Sequence, residues 1–317
     1  MNDFLFQKAY SLLKNAKRII VVTHEKPDGD AVASACAMAE ILGLNKKSFT
    51  IFCPDEPPCQ YNYLTHLEKF SHSHNFSQAD LIIILDCGTL KRTNLEKEIH
   101  ERTKNQLVIE FDHHPKIDNY ADVEFKIPEA ASTTEILYQF IKSNKIKISK
   151  NLANCVLTGI ITDTANFLYP STSSQTINIA SEMLTKGAKL SQIMENTRRN
   201  KSLITMKTWG KAMSNLKINK KYNFAVSILP KTDINDSLTE EDMEGISGFL
   251  SNLENVSGLM FLREQKDGSL KGSLRTSNNN VDISKLARLL GGGGHTKASG
   301  FIIEGKLEKT DGKWQVE

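Results

Sequence analysis

The stretch Gln106-Leu-Val-Ile-Glu-Phe111 runs directly into Asp112-His113-His114, so a short apolar segment ends on three side chains that ligate metals or move protons. Runs of this length, rich in Ile and Val, read as buried strands. The same event occurs twice upstream. Arg18-Ile-Ile-Val-Val-Thr23 is followed by His24-x3-Asp28-x-Asp30, and Leu81-Ile-Ile-Ile-Leu85 is followed by Asp86. A fourth acid, Asp163, closes Thr158-Gly-Ile-Ile-Thr-Asp163. In an open parallel α/β sheet ligands bind at the carboxyl ends of the strands, so clusters far apart in sequence converge there. Carboxylates and imidazoles buried together in that number repel or stay unpaired without cations, which makes bound metal the economical explanation. The four clusters together describe a two-metal hydrolase site.

Outward from these runs, residues 1–187 alternate helix and strand. An amphipathic helix over 4–16 precedes the first strand, a small-residue helix covers 31–40, further strands fall near 49–53, 81–86 and 106–111, and helices cover 151–167 and 173–186. This is the βαβ pattern of a mostly parallel sheet, and it brings Asp163 to the site from a helix or its end. Residues 188–216, polar and helix-prone, read as a helical linker. A second, smaller α/β domain then occupies 217–317, with strands over 223–229, 258–263 and 270–275 and helices over 239–253 and 282–290. Gly291-Gly-Gly-Gly-His295 follows the last helix. One glycine serves a helix C-cap. Four suggest a backbone that an anion approaches closely, as in an amide nest.

Bulk properties bound the class. With 317 residues, 39% apolar and 24% charged, the chain suits a soluble protein of about two domains. Five cysteines (Cys36, Cys53, Cys59, Cys87, Cys155), with no C-x-x-C pair, indicate neither a disulfide framework nor a zinc site, and a reducing cytoplasm is expected. Met1-Asn-Asp-Phe-Leu-Phe6 shows no cationic segment followed by an apolar core, and no run approaches the 18 apolar residues that span a bilayer, so neither secretion nor membrane insertion is expected. A net charge of +3, from 40 basic and 37 acidic residues, favours small phosphorylated substrates over long polymers.

These residues and spacings resemble the Asp-His-His (DHH) phosphoesterase superfamily over the whole chain. Gly291-Gly-Gly-Gly-His295 with Ala298-Ser-Gly300 resembles the DHHA1 substrate domain of its NrnA-type branch. That branch contains oligoribonucleases for very short RNA (nanoRNA), pAp phosphatases, and phosphodiesterases of cyclic di-AMP or pApA. The resemblance implies two Mn²⁺ per chain: one on His24, Asp28 and Asp86, the other on Asp30, Asp86, His113 and Asp163, with Asp86 bridging. Mixed imidazole and carboxylate ligation suits Mn²⁺, and two ions about 3.5–4 Å apart activate water and stabilise charge on phosphoryl oxygens. Of the Asp112-His113-His114 triplet, His114 stays free of metal and is expected to donate to a phosphate oxygen or protonate the leaving group.

The same resemblance places Arg92 at the site rim, where a guanidinium fork suits phosphate. It implies that Ser132 and Thr133, in Ala130-Ala-Ser-Thr-Thr134, order a loop or touch phosphate. Arg275, Gly292, Gly293, Gly294 and His295 are expected to hold the far end of a short RNA or adenine nucleotide. Thr276 stands where the family commonly has serine. His66, His72 and His74 fall outside any strand end and read as surface residues, Cys87 as a small packed hydrophobe, and Trp209, Phe249 and Phe301 as core. Relatives often dimerise, so a homodimer is an expectation, while no obligate protein partner or membrane is. The competing readings are direct attack on cyclic di-AMP, an inorganic pyrophosphatase, whose Ser-Arg-Lys-Lys signature is absent, and a nucleotide-sensing module without catalysis.

Overall fold

The structure, a computed structural model, describes every residue except Met1, His74, Asn200, Glu244, Asp311, Gly312 and Glu317. The chain divides into two compact units, Met1–Asn200 and Lys201–Glu317, a division that falls within the segment read as a linker.

The strands of the first unit are β1 (Arg18–Val22), β2 (Ser48–Phe52), β3 (Phe70–Ser71), β4 (Leu81–Leu85), β5 (Leu107–Asp112) and β6 (Val123–Lys126). Its helices are α1 (Asn2–Asn15), α2 (Gly29–Leu44), α3 (Glu96–His100), α4 (Thr133–Ser143), α5 (Lys150–Asp163), α6 (Ser174–Thr185) and α7 (Leu190–Thr197). All six strands are parallel, in the order β3-β2-β1-β4-β5-β6. The order reverses between β1 and β4, and the carboxyl ends on either side of such a switch point frame the crevice where open sheets bind ligands. His24 follows β1 and Asp86 follows β4.

Both faces of this sheet are covered, which is why its central strands are continuous apolar runs without alternation. Ile19, Val21, Ile83, Leu85, Ile109 and Phe111 pack under α1, α2, α4 and α5. Ile20, Val22, Ile82, Ile84 and Val108 face the other way, toward Leu90, Leu95 and Ile99. Small side chains matter where helices meet. A Cβ on Gly159 of α5 would come within 2.2 Å of Asp30 Oδ1, and one on Gly29 within 2.5 Å of Thr162. These two glycines let α2 and α5 approach closely enough to bring Asp30 and Asp163 together.

The second unit contains α8 (Leu203–Ser214), β7 (Lys217–Asn219), β8 (Phe224–Leu229), α9 (Glu240–Met243), α10 (Ile246–Leu250), β9 (Gly258–Glu264), β10 (Ser269–Arg275), α11 (Ser284–Leu289), β11 (Gly293–Gly294), β12 (Ala298–Glu304), β13 (Leu307–Thr310) and β14 (Lys313–Val316). Its main sheet runs β11-β12-β10-β9-β8-β7 and is mixed, with β8 and β9 parallel and the other pairs antiparallel. The architecture is therefore the α/β pair of domains read from the sequence. Details differ. The helix expected over 239–253 is broken at Gly245, whose φ of +89° is left-handed and stops a right-handed helix. Phe249, expected in the core, is 52% exposed beyond that break, whereas Phe301 is buried. Among the described residues no helix is long and apolar enough to cross a membrane.

Candidate metal centre

The loop after β1 carries three of the acidic and imidazole residues. Asp28 caps α2, its Oδ1 accepting from the Asp30 and Ala31 amides at 3.1 Å each, so its carboxylate sits at the positive end of the helix. Asp30 lies in the first turn of α2 and is buried. His24 is buried too, with Nδ1 2.6 Å from the Glu25 carbonyl. The same Nδ1 lies 2.8 Å from the Arg92 guanidinium, which only donates, whereas the Glu25 carbonyl only accepts, so the two contacts favour opposite tautomers. Nε2 is buried and has no hydrogen-bond partner among the described residues. Burial lowers the His24 pKa to about 4, so near neutral pH the ring is in the uncharged form that binds metal.

Asp86 follows β4 in a left-handed conformation, φ +61°. Its carboxylate is buried and accepts from the Thr133 hydroxyl at 2.9 Å. His24, Asp28 and Asp86 each present one ligand atom, all within 4.8 Å of one another, and Asp30, His113 and Asp163 do the same. Asp86 touches both groups, because its Oδ1 is 3.5 Å from His113 Nε2, which is itself 3.4 Å from Asp163 Oδ2. The structure thus gathers all six sequence-predicted ligand positions. Burial, followed by the charges of Asp30, Asp28, Asp112 and Asp163, pushes the Asp86 carboxyl well above the ordinary range. Burial also raises Asp30. An orphaned imidazole nitrogen within a ring of mutually repelling carboxylates fits divalent cations.

Helix α4 points its first turn at these ligands. The Thr133 amide donates to Asp30 Oδ2 at 2.5 Å, and the Thr134 amide and hydroxyl donate to Oδ1 at 3.2 and 2.9 Å. Ser132 is the N-cap, accepting from the Glu135 amide at 3.1 Å. Thr133 therefore orients the carboxylates of Asp30 and Asp86, and Ser132 caps the helix that presents it. Thr134, which sequence reasoning passed over, does as much for Asp30; no helix is read over 133–143 from the sequence, so nothing there singles it out.

Asp112 is wholly buried, with both oxygens engaged: Oδ1 accepts from the His114 amide (2.8 Å) and lies 2.7 Å from His114 Nδ1, and Oδ2 accepts from the Gly88 amide at 2.7 Å. Burial opposes its ionisation, but His114 and Lys126 outweigh burial and hold the carboxyl well below the usual range. It orients His114. Arg92 sits beside His24, 2.8 Å from Nδ1, and donates to the Cys87 carbonyl at 3.2 Å. Cys87 is buried in the core. His66 and His72 lie 3.0 Å from Glu40 and 2.7 Å from Glu56, away from the ligands, and His74 lies outside the described residues.

In the second unit Arg275 ends β10, donating to the Leu274 carbonyl at 2.8 Å, while its Nε is buried with no hydrogen-bond partner among the described residues. The glycine run has a use different from the expected nest. Gly291, Gly292 and His295 spend their amides on the carbonyls of Arg288, Ala287 and Ala298, and Gly293 and Gly294 form the edge strand β11. A Cβ on Gly292 would lie 2.1 Å from the Gly300 carbonyl oxygen, so close strand packing requires that glycine.

A parallel sheet with acids and imidazoles gathered at its switch point, joined to a mixed-sheet domain, defines a class of metal-dependent phosphoester hydrolases. Residues 18–160 match the DHH family N-terminal domain and residues 221–312 the DHHA1 domain, and the chain belongs to the DHH family of phosphoesterases. It is 27% identical over 308 residues to the probable bifunctional oligoribonuclease and PAP phosphatase NrnA of Streptococcus mutans, covering 96% of each chain. To the bifunctional oligoribonuclease and PAP phosphatase NrnA of Bacillus subtilis it is 27% identical over 290 residues, 90% of this chain and 89% of that one. An exopolyphosphatase-related protein of Bacteroides fragilis has a similar structure, with a TM-score of 0.85, 27% identity, and 96% of this chain and 92% of that one covered.

Proposed function

We propose that the chain hydrolyses phosphoester bonds in very short oligoribonucleotides, pApA and pAp, using two Mn²⁺ ions. The observation that supports this reading is the contact of Asp86 with both ligand groups, through which one carboxylate would serve two cations. His24, Asp28 and Asp86 would hold one ion, and Asp30, Asp86, His113 and Asp163 the other. When bound, such cations make water nucleophilic near neutral pH and neutralise charge developing on phosphoryl oxygens. The remaining roles fall to protein groups. Asp112 fixes the ring of His114, which donates to a phosphate oxygen or to the leaving group. Arg92 offers a guanidinium to phosphate. Arg275 and His295 of the second unit contact a phosphate or base of the substrate. Oligoribonucleotides and pAp are the substrates in the names of the S. mutans and B. subtilis relatives, and pApA is the shortest adenine member of the first class.

A second reading, hydrolysis of phosphoanhydrides such as pyrophosphate or polyphosphate, is favoured by the name of the B. fragilis protein. Initial rates on pApA, pAp, cyclic di-AMP, pyrophosphate and polyphosphate with Mn²⁺ separate the readings. Faster turnover of pApA and pAp than of the rest supports the proposal, and faster turnover of a phosphoanhydride replaces it. The family reading also carries a cytoplasmic location and a homodimer, which fractionation and light scattering test.

A further inference from the structure

Behind the Asp112 carboxylate lies a buried group of charges that the reaction just proposed does not use. Lys126, the last residue of β6, has only 2% of its side chain exposed. Its ammonium lies 2.7 Å from Glu110 Oε1, 3.3 Å from Asp112 Oδ2 and 3.4 Å from the Gly88 carbonyl oxygen. Glu110 is fully buried on β5, and its Oε1 also accepts from the Tyr120 hydroxyl at 2.7 Å. A buried ammonium with two buried carboxylates is a costly arrangement, and an apolar pair of similar volume is often at least as stable. Stability alone therefore does not account for it.

The geometry gives Lys126 a second task. Asp112 Oδ2 is held by the Gly88 amide and the Lys126 ammonium together, while Oδ1 faces the His114 ring. Gly88 has φ +69° and belongs to the turn that begins at Asp86, so one ammonium braces the back of the His114 partner and the turn leading out of the candidate bridging ligand.

We propose that Lys126 is a positioning residue, which acts through Asp112 and the Gly88 turn to fix the orientation of the His114 ring for the chemical step. The inference rests on the phosphoesterase reading only for its kinetic arm. Partners behind a functional imidazole are typically worth about 10- to 100-fold, and a shift near 1 Å costs about 100-fold.

The test compares Lys126→Met with the double variant Glu110→Gln/Lys126→Met, in which no uncompensated Glu110 charge is left inside the protein. Both are assayed for kcat and KM on pApA. The His114 ring ¹H–¹⁵N signal, assigned by its disappearance in His114→Asn, is recorded for the full chain with diamagnetic Mg²⁺. The wild type is expected to show a slowly exchanging Nδ1–H signal, and the double variant to fold and keep its KM within about twofold, yet to lose kcat about 10- to 100-fold and to lose that signal. A double variant with wild-type kcat and an intact ring signal would overturn the proposal, because Lys126 would then serve only to neutralise Glu110. Should the wild type turn over no phosphoester, the phosphoesterase reading falls, and the ring signal alone decides this inference.

Discussion

Asp86 concentrates the strain and the charge of the site in one residue. A left-handed conformation costs an L-residue about 1–2 kcal/mol. The five buried side chains of β4 just before it each contribute about 1.5–3 kcal/mol, so the strand end holds the strained residue in place. Its charge is the larger burden without cations. Asp86→Asn should therefore make the chelator-treated protein more stable at pH 8 than the wild type and abolish activity with added Mn²⁺; thermal melts and rates check both, and a destabilised metal-free variant would contradict the electrostatic account. His114→Ala should separate chemistry from ligation. Metal content should stay at the wild-type level while kcat falls about 10²- to 10⁴-fold, and loss of one ion per chain would instead make His114 a ligand. At this scale the sequence was informative wherever a residue stood at the end of an apolar run, as with His24, Asp86 and Asp112. It said nothing of Thr134, Glu110 or Lys126, because their importance comes from partners far away in the chain: Thr134 reaches Asp30, and Lys126 reaches across from β6 to β5.

Elements set the distances between these residues. β1, β4 and β5 were legible because strands covered on both faces must be apolar throughout. β11 was not, since a strand built on glycines is selected by close backbone approach and carries no hydrophobic pattern. The break between α9 and α10 hinged on the backbone of Gly245. The close approach of α2 and α5 gives a prediction that belongs to elements. Gly159→Ala places a methyl group where Asp30 Oδ1 and Thr134 now sit, at 2.2 and 2.3 Å, and neither neighbour is free to move because each is hydrogen-bonded to the other. We expect a stable fold weakened by about 1–3 kcal/mol through overpacking, with metal affinity reduced about 10- to 100-fold through displacement of Asp30. Denaturant melts and Mn²⁺ titration measure the two effects, and an unchanged affinity would show that Asp30 does not need this approach.

For the whole molecule, folding and metal binding are linked through the carboxylates. Burial raises the folded pKa of Asp86 and Asp30 above their unfolded values. Between the two values the unfolded chain has already released protons that the folded chain keeps, so these groups lower stability as pH rises through that window. Cations that replace the protons remove the penalty. The gap in melting temperature between Mg²⁺-loaded and chelator-treated protein should therefore widen from pH 5 to pH 8, with metal at a hundred times its Kd adding about 2.7 kcal/mol; a gap independent of pH would mean that the acids are not ionising against one another. The centre of the account is one pair of cations sharing Asp86. Elemental analysis of chelator-stripped chain reloaded with Mn²⁺ and desalted tests it most directly. Two manganese ions per wild-type chain, and no more than one in Asp86→Ala, is the predicted result. One ion or none in the wild type, or two retained in Asp86→Ala, would contradict it.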